Sequence, residues 1–188
     1  MKDEGVAMGR AKFWLLICVL CLALLAVAFD NSEAQANLKE AVKSLGAMST
    51  TNDFDPLYSD PITATSILIK ELRVIHRGQY RTSEGEGFGP IDYKAAHVIW
   101  CIRALRALTG LNFRAPTKTK LDEMEAHFLG HKDSGEVSFF GTWMSRELSF
   151  VAPEDAQKAI IEKWRRWFDD NGKTHSYVNS RRFDDWYY

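Results

Sequence analysis

The chain has 188 residues, 46% of them apolar and 26% charged, with a formal net charge of −1. That length suits one domain after any targeting segment, and the apolar share excludes a disordered chain. Positive and negative side chains also balance over residues 37–188 alone, which excludes a general electrostatic grip on nucleic acid, since that needs a basic excess or patch.

Residues 13–29, FWLLICVLCLALLAVAF, carry no charge, and Lys2, Arg10 and Lys12 precede them. This arrangement keeps the N-terminus in the cytoplasm and sends the rest across the membrane. Two small-residue cleavage patterns follow, Ala26-Val27-Ala28 and Ala34-Gln35-Ala36. Residues 1–36 are therefore read as a signal peptide or an N-terminal membrane anchor, and 37–188 as a single mainly helical domain. An anchor would be short, since a helix of this length spans roughly 25 Å against a core of ~30 Å. Either way the domain is exported, periplasmic or held on the outer face of the cytoplasmic membrane, and only an uncleaved segment would touch lipid. Cys18 and Cys21 lie in the leader, so Cys101 would be left alone, a small buried hydrophobe rather than a disulfide partner.

Residues 32–45 read as a helix with Leu38, Ala41, Val42 and Leu45 on one face and Gly46 as the stop. Ser49 to Tyr58 reads as a polar loop. Asp60-Pro61 is a helix start, an acidic cap followed by Pro, and the helix is expected to reach about Arg77 with Ile62, Thr65, Ile69, Leu72 and Ile75 or His76 inward. Ser83 to Pro90 holds three glycines. It lacks the preceding strand and the Lys and Ser/Thr of a phosphate loop, so it reads as a connector.

Asp92 to Thr109 is the centre of the fold. Val98, Cys101, Ile102, Leu105 and Leu108 form one broad apolar face, while Asp92, Arg103 and Arg106 fall in a narrow charged stripe. So little polar surface means that other elements cover this helix. Thr119 to Leu129 reads as a short helix with Leu121, Met124 and Phe128 inward. From about 135 to 151 the pattern turns β-rich and reads as a small hairpin insertion. Pro153 opens a last helix with Ala156, Ile160, Trp164, Trp167 and Phe168 in one stripe, ended by Gly172. The aromatic terminus, Phe183 to Tyr188, is expected to dock on the body.

At Arg103-Ala-Leu-Arg-Ala-Leu-Thr-Gly-Leu-Asn-Phe113, with Trp164-Arg-Arg-Trp-Phe168 later, the chain resembles the closing units of bacterial HEAT-like helical repeat proteins. The resemblance implies helix-on-helix packing and a scaffold-like role, and it supplies no catalytic residues. About fifty residues separate the two stretches, where the family's pattern has none, and no repeat recurs elsewhere.

Several constellations invite chemistry. His127 and His131 are four apart, with Glu123, Glu125 and Asp133 nearby, a spacing that suits zinc on one helix face. Gly130 between them weakens the helix, and Phe128 stands where a zinc protease needs Glu, so the pair reads more plainly as a polar helix end, with no metal or other cofactor expected. His97 lies one turn from Cys101 in the packed layer and reads as a buried histidine rather than a catalytic base. The acid pairs Glu84/Glu86, Asp169/Asp170 and Asp184/Asp185 are sequence neighbours, unlike the facing carboxyls of a glycosidase. No Gly-x-Ser-x-Gly elbow is present.

Phe140, Trp143, Met144 and Arg146 stand out for recognition, since aromatics, Met and Arg are enriched at protein interfaces. The expected fold is mainly α, a helical bundle or HEAT-like helix pairs around the buried central helix with a small β-hairpin insertion. The expected function is non-enzymatic binding of another protein by an exported module, in concrete form an immunity-type inhibitor of a secreted toxin. The alternative is a small extracytoplasmic hydrolase or metal-dependent enzyme built on His127, His131 and nearby acids.

Overall fold

A computed structural model of the protein describes residues 32–46, 49, 51–77, 79–81, 92–143 and 148–178. The chain divides into two units, Met1–Asn37 and Leu38–Tyr188. Of the first unit only 32–37 are described, and they are helical. Among the described residues no helix is long and apolar enough to cross a membrane; the apolar stretch 13–29, the glycine-rich segment 83–90 and the terminal aromatics 183–188 lie outside them.

The second unit is mainly α with a small antiparallel hairpin, and helix α3 (Tyr93–Thr109) is its axis. The Asp92 carboxylate accepts hydrogen bonds from the backbone N–H groups of Lys94 and Ala95, which no earlier turn can satisfy. Gly110 ends the helix at φ 71, a left-handed geometry that suits a residue without Cβ. Between the caps, alanines at 95, 96, 104 and 107 are buried together with Val98, Ile99, Trp100, Cys101, Ile102, Leu105 and Leu108. Burial is thus on nearly all sides, wider than the one apolar face.

Helix α1 (32–44) gives Leu38 and Val42 to the core. The expected polar loop is instead a 3-10 helix, Thr51–Tyr58, that buries Phe54 and Leu57. These two are three apart, and three residues make one turn of such a helix, so both point the same way. Helix α2 (Pro61–Glu71) starts as expected, with the Asp60 side chain accepting from Thr63 N–H. Its inward face is Ala64, Thr65, Leu68 and Ile69, while Ile62 is exposed.

Helix α2 stops well short of Arg77. Beyond it the chain is irregular, and the Gln157 side chain holds it: Ile75 N–H donates to Gln157 Oε1 at 2.8 Å, and Gln157 Nε2 donates to the Ile75 carbonyl at 2.9 Å. Val74 and Ile75 are β-branched and suit an extended path, so a strand-like pairing with a side chain replaces helical turns.

Among the described residues five short strands form two sheets. Strands β1 (Gln79–Arg81), β5 (Leu148–Val151) and β4 (Phe140–Trp143) make one, in the order β1-β5-β4, all antiparallel. Strand β2 (Arg114–Pro116) pairs antiparallel with β3 (Glu136–Ser138) in the other. The expected hairpin is β4 and β5, and it is tied into the body through β1.

Helix α4 (Glu123–Phe128) opens with a capping box between Asp122 and Glu125. Met124, expected inward, is exposed. A single helical turn, α5 (His131–Ser134), follows after Gly130 at φ 73. Helix α6 (Glu154–Asn171) buries Ala156, Gln157, Ile160, Ile161 and Trp164, and Gly172 ends it.

The two stretches that carry the repeat-protein resemblance pack on each other. Phe113 meets Trp164 edge-on at 4.6 Å and Trp167 at 6.3 Å. The chain after α6 closes over the end of α3: His175 Nε2–H donates to the Thr109 carbonyl at 2.9 Å and Val178 N–H to the Leu108 carbonyl at 2.9 Å.

Candidate functional site

The hairpin has a fixed base. Ser138 N–H donates to the Leu129 carbonyl and Ala152 N–H to the Phe139 carbonyl. Phe128 of α4 stacks flat on Phe150 of β5, centroids 5.3 Å apart. Gly141 lies against the backbone of Phe128 so closely that an added Cβ would overlap that carbonyl. Only glycine allows this approach, and it seats β4 on the end of α4. Strand β4 ends at Trp143 and β5 begins at Leu148. Met144 and Arg146, expected to contact a partner, fall between these strands and outside the described residues, as does the side chain of Trp143.

Phe140, the fourth expected contact residue, is 6% exposed and faces α3. Two arginines one turn apart on α3 lie over its ring: Arg106 Cζ is 4.5 Å and Arg103 Cζ 5.3 Å from the centroid. Arg103 also stacks on Trp100, at 4.8 Å. Phe140 belongs to the packing between helix and sheet.

The charged stripe of α3 therefore turns inward at its C-terminal half. Arg106 as a residue is only half-buried, yet its Nε and Nη2 atoms are closed to solvent and have no hydrogen-bond partner among the described residues. Burial pushes this guanidinium down, to about 9, and the nearby charges of Arg103 and Arg114 push the same way. It stays protonated at neutral pH. Trp100 Nε1 and Ser149 Oγ are likewise buried without a partner among the described residues. Val151 lies directly opposite Phe140 in the ladder, and Ser149 is two residues from Val151 on the same face. Arg106 and Ser149 thus belong to the layer between α3 and the sheet, while the Trp100 indole packs edge-on against Phe54 at 5.7 Å.

The histidines serve other ends. His127 and His131 lie on separate elements, α4 and α5, split at Gly130, so the one-face spacing that a zinc pair needs does not form. Of the nearby acids, Glu125 pairs with Arg77 and accepts the Asp122 N–H, and Glu123 pairs with Lys132 at 3.2 Å. Among the described residues no three His, Cys, Asp or Glu side chains group to hold a metal ion. His97 Nδ1–H donates to the Leu45 carbonyl at 2.7 Å, which leaves Nε2 facing Cys101 Sγ at 3.6 Å and Glu71 Oε2 at 3.5 Å. Cysteine and acid thus both face one nitrogen of the histidine, and among the described residues no acid sits on the other. Burial raises the Cys101 thiol far above its ordinary range, however, so no thiolate is on hand for attack.

Two residues with structural weight escaped the sequence reading. Gln157 sits in the apolar stripe of α6 as a lone polar position, and that misfit was the available signal. Arg106 gave no signal, because its charge alone assigns it to water. No protein-family model, curated protein sequence or solved structure matches the chain.

Proposed function

We propose that the protein is an exported, non-enzymatic binding module that contacts another protein through the connection between β4 and β5, with Trp143 and Met144 as apolar anchors and Arg146 as the polar one. The observation that carries this reading is the fixed hairpin base, held by the Gly141 approach to Phe128 and the Phe128–Phe150 stack. A recognition loop gains affinity when its ends are held by a rigid scaffold, since less order is lost on binding. The burial that silences Cys101 and the separation of His127 from His131 also favour contact over chemistry.

In its concrete form the partner is a secreted toxin and the protein its immunity-type inhibitor, with Trp143 filling a pocket and charged neighbours setting specificity. The scaffold role implied by the HEAT-like resemblance fits the same reading. The test is capture from the native host's secreted fraction with the wild-type chain and with Trp143→Ala and Arg146→Ala. The expected outcome is one retained protein, lost with either substitution, whose toxicity the wild-type chain suppresses. No retained protein, or one held equally by both variants, contradicts the proposal.

A further inference from the structure

We infer that an export peptidase cuts the chain between Ala36 and Asn37, and that Asn37 then becomes the cap of the shortened helix α1. The inference rests on the export part of the proposed function and adds to it a processing site and a new helix start.

Helix α1 runs from 32 to 44, but its first turns stay outside the core. Residues 32–37 are all exposed, Leu38 is the first buried one, and the second unit begins at Leu38. A cut before Asn37 therefore removes no buried apolar side chain. It also falls directly after Ala34-Gln35-Ala36, which places small residues at the two positions an export peptidase reads. The polar run Asp30 to Glu33 separates that pattern from the apolar stretch 13–29. Ala26-Val27-Ala28 has no such spacer. It lies inside the apolar stretch, and a cut there would leave Phe29 as an apolar terminus ahead of the exposed turns. The step is a hydrolysis: the C–N bond between Ala36 and Asn37 breaks, and water gives its hydroxyl to the Ala36 carbonyl carbon and its proton to the Asn37 nitrogen.

The residues after the cut suit a helix start. Asn37 lies inside α1, where asparagine is a poor helix former, whereas at the N-cap it ranks among the best. Glu40 stands three positions on, so Asn37-Leu38-Lys39-Glu40 has the spacing of a capping box. In the cut chain the Asn37 side chain can accept from the Glu40 N–H, and the Glu40 carboxylate can reach the new Asn37 ammonium. That ammonium stands at the positive end of the helix dipole, so the carboxylate offsets an unfavourable charge. Glu40 pairs with Lys43 at 2.8 Å, but both side chains are exposed, so exchanging that pair for the cap costs little.

The test expresses the full chain in its native host, separates the cytoplasm from the exported fractions, and reads the start of the chain by intact mass and N-terminal sequencing. The expected product begins at Asn37 and lies outside the cytoplasm. Ala36→Leu should block the cut at this bond, and Ala28→Leu should leave the product unchanged. The cap is read from thermal melts of the purified chains in one detergent. Asn37→Ala should lower the melting temperature of the cut chain by a few degrees. In the uncut Ala36→Leu chain the same change should leave it equal or higher, since alanine suits a helix interior. A product that begins at Phe29, or an exported wild-type chain that stays uncut, overturns the inference and leaves export standing. An uncut chain confined to the cytoplasm overturns both. If Asn37→Ala acts alike in the cut and uncut chains, the capping role of Asn37 is overturned.

Discussion

Gln157 has no exposed surface and three hydrogen bonds: it accepts from Ile75 N–H and donates to the carbonyls of Ile75 and Ala152. It ties the irregular chain after α2 to the first turn of α6. Gln157→Leu leaves those backbone groups buried and unpaired, and the expected loss of unfolding free energy is about 3 kcal/mol in urea denaturation. A loss under about 1 kcal/mol would mean that water replaces the amide. Arg106 should behave in the opposite way. Arg106→Met keeps contact with the Phe140 ring and removes buried N–H groups without a partner among the described residues, so the protein should gain about 1 kcal/mol. A lower melting temperature for that variant would show that the guanidinium stabilises the resting fold.

Asp155 gives a pH signature. Its carboxylate accepts from Lys118 N–H at 2.8 Å and the Thr117 hydroxyl at 2.9 Å, and the backbone hydrogen bond first, then the hydroxyl, holds its carboxyl below the ordinary value. A depressed folded value means that this stability is present above the unfolded value, about 3.9, and is lost as pH falls through the lower folded one. Asp155→Asn should therefore be less stable than wild type at pH 7, with the gap closing as the urea midpoints are followed into acid. A gap that stays constant with pH would contradict the assignment.

At the scale of elements, the parts of the fold legible from sequence were those set by local chemistry. Asp60, Asp92 and Gly110 bound their helices because caps and left-handed stops act within one turn. The C-terminal end of α2 and the 3-10 helix were not legible. Helix α2 ends where Gln157, far along the chain, takes over the backbone of Ile75, and no local pattern records that. The stretch Thr51–Tyr58 looked polar because its two core residues, Phe54 and Leu57, follow a three-residue period within an otherwise hydrophilic run. Of the candidate contact residues, Phe140 was misjudged for a related reason. Alternation gives two faces to a strand but does not say which one the helix covers. The seating of β4 on α4 rests on Gly141, and Gly141→Ala should cost about 3 kcal/mol or more, since the Phe128 backbone must move. Hydrogen exchange should then accelerate in β4 and β5 before it does in α3. Unchanged protection in the hairpin would show that the close approach is dispensable.

At the scale of the molecule, the second unit is a mainly helical body about α3, with β4 and β5 paired from Phe140–Val151 to Trp143–Leu148. A fixed hairpin base is what the proposed contact module needs, since a few buried anchors dominate such interfaces. The measurement that bears most directly on this is the affinity of the captured partner for the wild-type chain and for Trp143→Ala, taken by calorimetry on samples with matching thermal melts. The account gives a loss of about 2 kcal/mol or more, roughly thirtyfold in Kd, for that one substitution. Equal affinity in the two proteins would contradict it.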